Sequence, residues 1–294
     1  MARVINTTYV IFGSLIALFI LTVIAIIIAF GMHRTLINDD TLQVSFFDIG
    51  QGDSIFIQAP NGTQVLIDGG PDATVLRQLR LGMPLFDKSI DLVIATHPDS
   101  DHIAGLVDVL KDYKVMRFIR PAEVKGDSTA WTHLIDELDT EETISALAGM
   151  RIILDDSRQI YMDILHPMVE SHYGDTNPYS IVARLVYGNT SFLLTGDATR
   201  EVEHQLVSEY NFEVLDTDVL KLGHHGSKTS SSVEFLRAVS PRVAIISAGK
   251  GNKYGHPAPE ILAFLNALQI PYLSTQTQGT IIYASDGKNL IRVK

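Results

Sequence analysis

The feature that most limits how this chain can fold lies at residues 91–110. An apolar run, Asp91-Leu92-Val93-Ile94-Ala95-Thr96, passes directly into His97-Pro98-Asp99-Ser100-Asp101-His102 and then into Ile103-Ala104-Gly105-Leu106-Val107-Asp108-Val109-Leu110. The first run reads as a buried strand and the last as the start of a helix. Four side chains able to hold a metal therefore crowd one strand-to-helix turn. Imidazole nitrogens and carboxylate oxygens suit zinc, manganese or iron. A turn aims alternate side chains at one point better than a continuous helix or strand does. The plainer reading of the same six residues is a polar loop whose aspartates cap the helix.

The pattern recurs downstream. Phe192-Leu193-Leu194-Thr195-Gly196-Asp197 ends an apolar strand in a carboxylate, and Val219-Leu220-Lys221-Leu222-Gly223-His224-His225-Gly226-Ser227 ends another in two imidazoles. Ile245-Ile246-Ser247-Ala248 leads into a Gly-rich loop that closes on Tyr254-Gly255-His256-Pro257. Each segment alone has a structural explanation. Asp197 could cap a helix starting at Ala198, the histidine pair could be a surface turn, and His256 could precede a Pro-started helix. Repetition favours a site, because strand ends on one edge of a sheet share one crevice.

Around these segments the pattern predicts strands at 42–49, 54–58, 64–68, 115–119, 151–154, 159–165, 181–187, 190–195, 217–222, 242–247, 271–274, 280–284 and 290–293. Helices are predicted at 73–81, 198–210, 230–239 and 257–268. Residues 127–150 are polar and acidic, with helical spacing around Trp131, Leu134, Ile135 and Leu138, and read as a surface insertion. Strand runs first and alternating units later imply two sheets covered by helices on their outer faces.

Residues 4–32 contain no Asp, Glu, Lys or Arg, and Tyr9 to Met32 is almost wholly apolar. A bilayer core needs about 20 such residues. The run is too long for a signal-peptide core, and no A-x-A site follows it. The expected organisation is a tail at 1–8, a transmembrane anchor at 9–32, a tether at 33–41 and one domain at 42–294. Arg3 on one side and His33 and Arg34 on the other barely set the orientation. The short N-terminal tail favours a cytoplasmic amino terminus and a domain outside the cytoplasm. The absence of cysteine is compatible with an oxidising location. Arg3 and Arg34 are the only charged side chains before Asp39, so the remainder carries 21 basic against 34 acidic residues, a net charge of −13. Such a domain is not a non-specific nucleic-acid binder. A metalloenzyme acting on phosphodiesters stays open, because bound cations supply local positive charge.

The order HxDxDH, TGD, HHGS resembles the metallo-β-lactamase fold, and more closely the C-terminal hydrolase domain of ComEC-type competence (DNA-uptake) proteins. The segments that carry the resemblance are FFDIGQGDSIFI (46–57), VLIDGG (65–70), ATHPDSDHIAGL (95–106), NPYSIVARL (177–185), FLLTGD (192–197), VLKLGHHGSKTSSS (219–232) and AIISAGKGNKYGHP (244–257). It implies an α/β fold, an αββα four-layer sandwich, here preceded by one transmembrane helix, with one or two divalent metal ions. Carried over, His97 and Asp99 hold one metal, Asp101 and His102 hold the second, and Asp197 bridges them. Either His224 or His225 completes the second site, with the preference going to His225, which directly precedes Gly226. Asp101 would also position or deprotonate the attacking water, and His256 would be a ligand or proton donor. Ser227, Lys228, Ser180 and the amides of 226–229 would stabilise phosphoryl charge, Ser230, Ser231 and Ser232 would cap the next helix, and Asp68 would orient a ligand imidazole. Asp48 and Asp53 read as turn or supporting groups.

Two departures matter. Most members of the wider family have His where Asp99 stands. A further His usually precedes the bridging Asp, whereas this chain has Asn177-Pro178-Tyr179-Ser180; His166 and His172 lie nearby but off the motif. Zinc or manganese is the favoured ion, and the oxygen-rich shell tilts the choice from zinc towards manganese or magnesium. The resemblance implies a phosphodiesterase or nuclease linked to DNA uptake, with single-stranded DNA and membrane DNA-uptake components as partners. The single anchor, in place of a multi-helix channel, favours a stand-alone tethered hydrolase. A phosphorylcholine or teichoic-acid esterase would use the same site. A reading of another class is a non-catalytic metal-binding partner of a membrane DNA channel.

Overall fold

The computed structural model describes residues 12–25, 40–122, 124, 126, 128–138, 143–168 and 175–294. The chain divides into two units, Met1–Thr41 and Leu42–Lys294. In the first, helix α1 covers 12–25. Among the described residues no helix is long and apolar enough to cross a membrane. The remainder of the expected anchor, the tail at 1–8, the tether up to residue 39 and His172 lie outside them.

The second unit is built on two sheets. One runs in the order β17 (Leu290–Arg292), β16 (Ile281–Ser285), β1 (Leu42–Phe46), β2 (Ile55–Gln58), β3 (Gln64–Ile67), β5 (Leu92–Ile94), β7 (Phe118–Pro121), β8 (Thr143–Ala146). The other runs β15 (Tyr272–Ser274), β14 (Val243–Ile246), β13 (Val219–Lys221), β12 (Thr190–Leu194), β11 (Val182–Tyr187), β10 (Ile160–His166), β9 (Arg151–Asp155). A two-strand ladder joins β4 (Ser89–Ile90) to β6 (Lys114–Val115). Strand alternation explains the layering. Ile55, Ile57, Val65, Ile67, Leu92 and Ile94 meet Ala183, Leu185, Phe192, Leu194 and Ile245 between the sheets. The intervening Phe56, Leu66 and Val93 face helices α2 (Thr74–Gly82), α3 (Ser100–Asp112) and α4 (Thr129–Glu137). On the far side Val182, Leu193, Leu220 and Ile246 face α5 (Arg200–Glu209), α7 (Val233–Val239) and α8 (Pro259–Ala267). This is a four-layer αββα sandwich. Short helices α6 (Phe212–Leu215) and α9 (Thr275–Gln278) were not expected from the sequence.

Two expectations are corrected. Residues 127–150 are not a surface insertion. Helical spacing puts Trp131 and Leu134 on one face of α4, which is buried against the α3 layer, and Thr143–Ala146 pairs in parallel with β7 as the edge strand β8. Helix α3 starts at Ser100 rather than Ile103, so Asp101 and His102 sit in its first turn.

Strands β3, β5, β7 and β8 are parallel, as are β12 to β15. The chemistry-bearing segments all follow carboxyl ends of such strands, the edge where open α/β sheets bind ligands. Helix α3 is seated there by close backbone packing. Gly105 N–H donates to Gly70 O at 2.9 Å, and Gly69 N–H donates to His102 O at 2.6 Å. A Cβ at Gly105 would lie 2.1 Å from Gly69 O. In an exposed helix Gly→Ala stabilises by up to about 1 kcal/mol. Here Gly105→Ala is expected to destabilise by about 1–3 kcal/mol through overpacking, read by urea unfolding; unchanged or higher stability would contradict this packing.

Candidate metal centre

Asp68 closes β3 with a left-handed backbone, φ 57°, and its carboxylate is fully buried. It accepts from Thr96 N–H at 2.8 Å, from the Thr96 hydroxyl at 2.7 Å and from His102 Nδ1–H at 2.7 Å. With its hydrogen on Asp68, Thr96 Oγ1 accepts from His97 Nδ1–H at 3.0 Å. One carboxylate thus orients both imidazoles through Nδ1, turning each Nε2 towards the site. The same geometry holds His225, whose Nδ1–H donates to Ser247 O at 2.9 Å. His224 and His225 both adopt left-handed backbone, φ 48° and 55°, a conformation that costs non-glycine residues about 1–2 kcal/mol each. The turn buries His225 and leaves His224 partly exposed.

The free Nε2 atoms meet the carboxylates. His102 Nε2 lies 3.3 Å from His225 Nε2 and 3.2 Å from Asp197 Oδ1. His225 Nε2 lies 3.4 Å from both Asp197 Oδ2 and Asp101 Oδ2. Ligands at about 2.0–2.2 Å from a tetrahedral ion are spaced by about this much. His102, Asp197 and His225 therefore fit one divalent cation, with the Asp101 carboxylate beside His225 at its edge. A second, wider group adjoins it. His97 Nε2 is 3.7 Å from Asp99 Oδ2 and 4.0 Å from Asp197 Oδ2. It is buried with no hydrogen-bond partner among the described residues, as a ligand nitrogen would be. His224 Nε2 reaches Asp197 Oδ2 at 3.8 Å.

Helix capping does not account for these residues. Asp99 occupies the N-cap position of α3 but makes no capping bond, and instead accepts from the Thr176 hydroxyl at 2.6 Å. Asp197 stands before Thr199, which occupies the N-cap position of α5. Asp197 N–H donates to Ser180 Oγ at 3.0 Å, and Ser180 O accepts from His166 Nδ1–H at 2.9 Å. Asn177 Nδ2 lies 3.4 Å from the His224 ring nitrogens. Ser227 Oγ is 3.0 Å from Thr229 Oγ1, which is 2.9 Å from His224 Nδ1, so it braces His224 instead of facing Asp197. Lys228 is exposed. The His256 ring lies edge-on to His224 and tilted to His225, with ring centroids 5.5 and 6.3 Å away. Ser232 caps α7 through Phe235 N–H, while the amides of Ser231 and Ser232 donate to Glu203.

Asp53, read from the sequence as a turn or supporting group, is part of a buried support whose other member, Lys221, the sequence reading missed. Lys221 Nζ pairs with Asp53 Oδ2 at 2.6 Å and donates to Leu222 O at 2.8 Å. Asp53 Oδ1 is 3.4 Å from His225 Nδ1. Asp53, His102, Asp197 and His225 place ligand-capable atoms within 4.8 Å of one another, but Asp53 is held by Lys221 and faces the Nδ1 edge of His225. Asp101 faces Nε2 and is the better fourth donor. A lysine inside the apolar strand Val219-Leu220-Lys221-Leu222 was the readable signal.

Electrostatics agree with a demand for positive charge. Burial, with His102 beside it, lowers the His97 pKa to about 4, so this imidazole is neutral. Burial also opposes charge on His225, but Asp197, Asp101 and Asp53 outweigh it and raise its pKa to about 9. His102 is raised well above 6.5 against its burial, by Asp197 and Asp68. Asp197 is held well below the carboxylate range, despite burial, by His225, His102 and His97.

The sequence profile of the Metallo-beta-lactamase superfamily matches residues 47–250. ComE operon protein 3 of Bacillus subtilis is 33% identical over 82% of this chain and 33% of its own length. Competence protein ComA of Neisseria gonorrhoeae is 29% identical over 83% of this chain and 32% of its own. The chain thus spans about a third of the length of these curated relatives. Among solved structures, CmlA, a diiron β-hydroxylase from Streptomyces venezuelae, shares the fold with a TM-score of 0.54 at 13% identity, over 86% of this chain and 54% of its own.

The pKa values of His102 and His225 are both raised, and ligation needs both Nε2 lone pairs, so a bound cation competes with protons. Calorimetry in buffers of different ionisation enthalpy is expected to find about two protons released per ion. Affinity should fall as pH drops below about 9, the raised His225 value. Proton-neutral binding at pH 7 would contradict the assignment.

Proposed function

The chain belongs to the metallo-β-lactamase superfamily, and on that premise we propose that it is a membrane-tethered, metal-dependent phosphodiesterase acting on single-stranded DNA outside the cytoplasm. The observation that carries the reading is the buried set of His102, Asp197 and His225, whose donor atoms lie 3.2–3.4 Å apart, with the Asp101 carboxylate 3.4 Å from His225 Nε2. Asp197 is shared with the His97–Asp99 group, the arrangement of a bridged pair of ions. Histidine donors suit zinc or manganese, and the carboxylates of Asp99, Asp101 and Asp197 tilt the choice towards manganese and admit magnesium. Bound there, a divalent cation supplies a hydroxide-like nucleophile at neutral pH and positive charge against phosphoryl oxygens.

The chain's own residues divide the remaining work. Asp101 is 30% exposed while Asp197 and His225 are buried. It is the carboxylate placed to orient the attacking water and pass its proton to solvent. His97, His102 and His225 hold fixed orientations through Asp68, Thr96 and Ser247, so they enter the reaction with little reorganisation. His224, held by Thr229, and the exposed Lys228 serve against the charge that grows on the phosphoryl oxygens. His256, whose ring adjoins His224 and His225, serves as the proton donor to the leaving group. The apolar run 9–32 serves as the anchor, and the competence-protein relatives point to a place in DNA uptake alongside membrane components.

Full-length protein loaded with Mn²⁺ or Zn²⁺ is expected to hydrolyse bis-p-nitrophenyl phosphate and single-stranded DNA, and chelation to abolish it. Asp101→Ala should lower kcat by on the order of 100-fold, the scale of a lost general base. Metal-bound protein without turnover, Asp101→Ala indistinguishable from wild type, would leave the non-catalytic partner reading. Phosphocholine release without strand cleavage would leave the esterase reading. Protease added to intact cells should cleave the domain; full protection would place it in the cytoplasm.

A further inference from the structure

The metal centre stands at the carboxyl ends of its strands, and the opposite edge carries an exposed apolar tip. Strands β1 and β3 are both antiparallel to β2, and β3 is parallel to β5. The amino-terminal ends of β1, β3 and β5 therefore share that opposite edge. Leu42, where the chain enters the second unit, begins β1 there, and Gln64 begins β3. Gln64 ties down the segment that follows α2: its N–H donates to Asp91 Oδ2 and its Nε2 to Asp87 Oδ2, both at 2.8 Å. Asp87 N–H closes a turn on Pro84 O at 3.1 Å, and Phe86 within it holds a left-handed backbone, φ 68°, uncommon for a bulky residue. Phe86 is 90% exposed, Leu85 78% and Leu81, on α2, 75%, the three most exposed large apolar side chains among the described residues.

Cations flank this tip. Arg77, Arg80 and Leu81 share one exposed face of α2 through their i, i+3, i+4 spacing. Arg80 and Lys88 reach Asp112 at 3.5 and 3.9 Å, and Lys114 lies opposite Ser89 in the β4–β6 ladder. Residues 77–91 and 111–117, which that ladder joins, hold six Lys and Arg, all exposed, against three aspartates. Asp87 and Asp91 are turned to Gln64, and Asp112 stands between Arg80 and Lys88. The surplus is local to this edge of a domain whose net charge is −13.

We propose that Leu81, Leu85 and Phe86 insert into the interfacial layer of an anionic lipid surface, with Arg77, Arg80, Lys88 and Lys114 on its headgroups. Exposures of 75–90% describe a protruding tip and not a groove. Apolar side chains with basic flanks are the pattern of interfacial binding, and each Lys or Arg held near an anionic leaflet adds attraction. The position of Leu42 decides for lipid over a protein partner. Residues 33–41, between the apolar run and Leu42, reach at most about 32 Å, so the edge that bears the tip is the edge kept near the bilayer. The inference rests on the anchor reading and deepens it: the domain lies with its Leu42 edge on the membrane and its metal centre turned away, open to substrate.

The test reconstitutes the full chain in vesicles of phosphatidylcholine with and without phosphatidylglycerol, the acyl chains brominated to quench indole fluorescence. The only native indole, Trp131, is buried, so wild type supplies the baseline. Phe86→Trp is expected to blue-shift and to be quenched in the phosphatidylglycerol vesicles, and Arg80→Glu with Lys88→Glu added should weaken both effects. Tyr254→Trp, on the exposed loop beside His256, should stay unquenched. Equal quenching at positions 86 and 254, or none at 86, would overturn the proposal. Carbonate extraction reads the anchor separately. A chain that resists extraction with position 86 unquenched keeps the anchor and overturns the docking. A chain that carbonate removes, yet whose position 86 is quenched at neutral pH, supports the docking and overturns the anchor. Self-association of wild type that Phe86→Ser abolishes would assign the tip to a second copy and overturn the lipid proposal.

Discussion

The Asp68 carboxylate is the constraint on which the rest of the centre depends. It is fully buried, and an unpaired carboxylate in that position would cost several kcal/mol. Three donors, two from Thr96 and one from His102, remove the penalty. The consequence is directional. Thr96 and His102 are locked to Asp68, His97 is locked through Thr96, and both Nε2 lone pairs are turned to one point. The backbone supports the same arrangement, since α3 is pressed onto the Gly69-Gly70 turn so closely that only glycine fits at Gly105.

A second buried pair fixes the opposite wall. Lys221 and Asp53 stand behind His225, and Lys221 also reaches Gly196 O at 3.4 Å, next to Asp197. Buried ion pairs add little net stability; what this pair adds is placement of one imidazole and one carboxylate. The two walls together create a pocket with excess negative charge and inward lone pairs. The raised His102 and His225 and the lowered Asp197 describe one demand for positive charge, which a divalent cation would meet.

Much of this was legible in the chain. The alternation of Ile55, Phe56 and Ile57, or of Phe192, Leu193 and Leu194, sorts side chains between the two faces of each sheet and so yields the layers. The strand-end His and Asp residues could be seen because each follows an apolar run. Residues 127–150 were misread because their acidic composition hid a buried stripe at Trp131 and Leu134. Asp53 could be read only as a turn or supporting group because an Asp after Gly-Gln-Gly resembles any turn aspartate, and its partner Lys221 was missed because it is remote in sequence. The choice between His224 and His225 could not be made from spacing alone. It depends on two consecutive left-handed residues, a tertiary feature that Pro257 and Ser247 impose by packing against and bonding to this turn.

The most direct test is anomalous diffraction from crystals of the protein loaded with Mn²⁺ or Zn²⁺. The account places the strongest peak about 2.0–2.2 Å from His102 Nε2, His225 Nε2 and a carboxylate oxygen of Asp197, with Asp101 as the fourth donor. A peak beside Asp53 on the Nδ1 side of His225, or no peak within reach of His102 and His225, would contradict it.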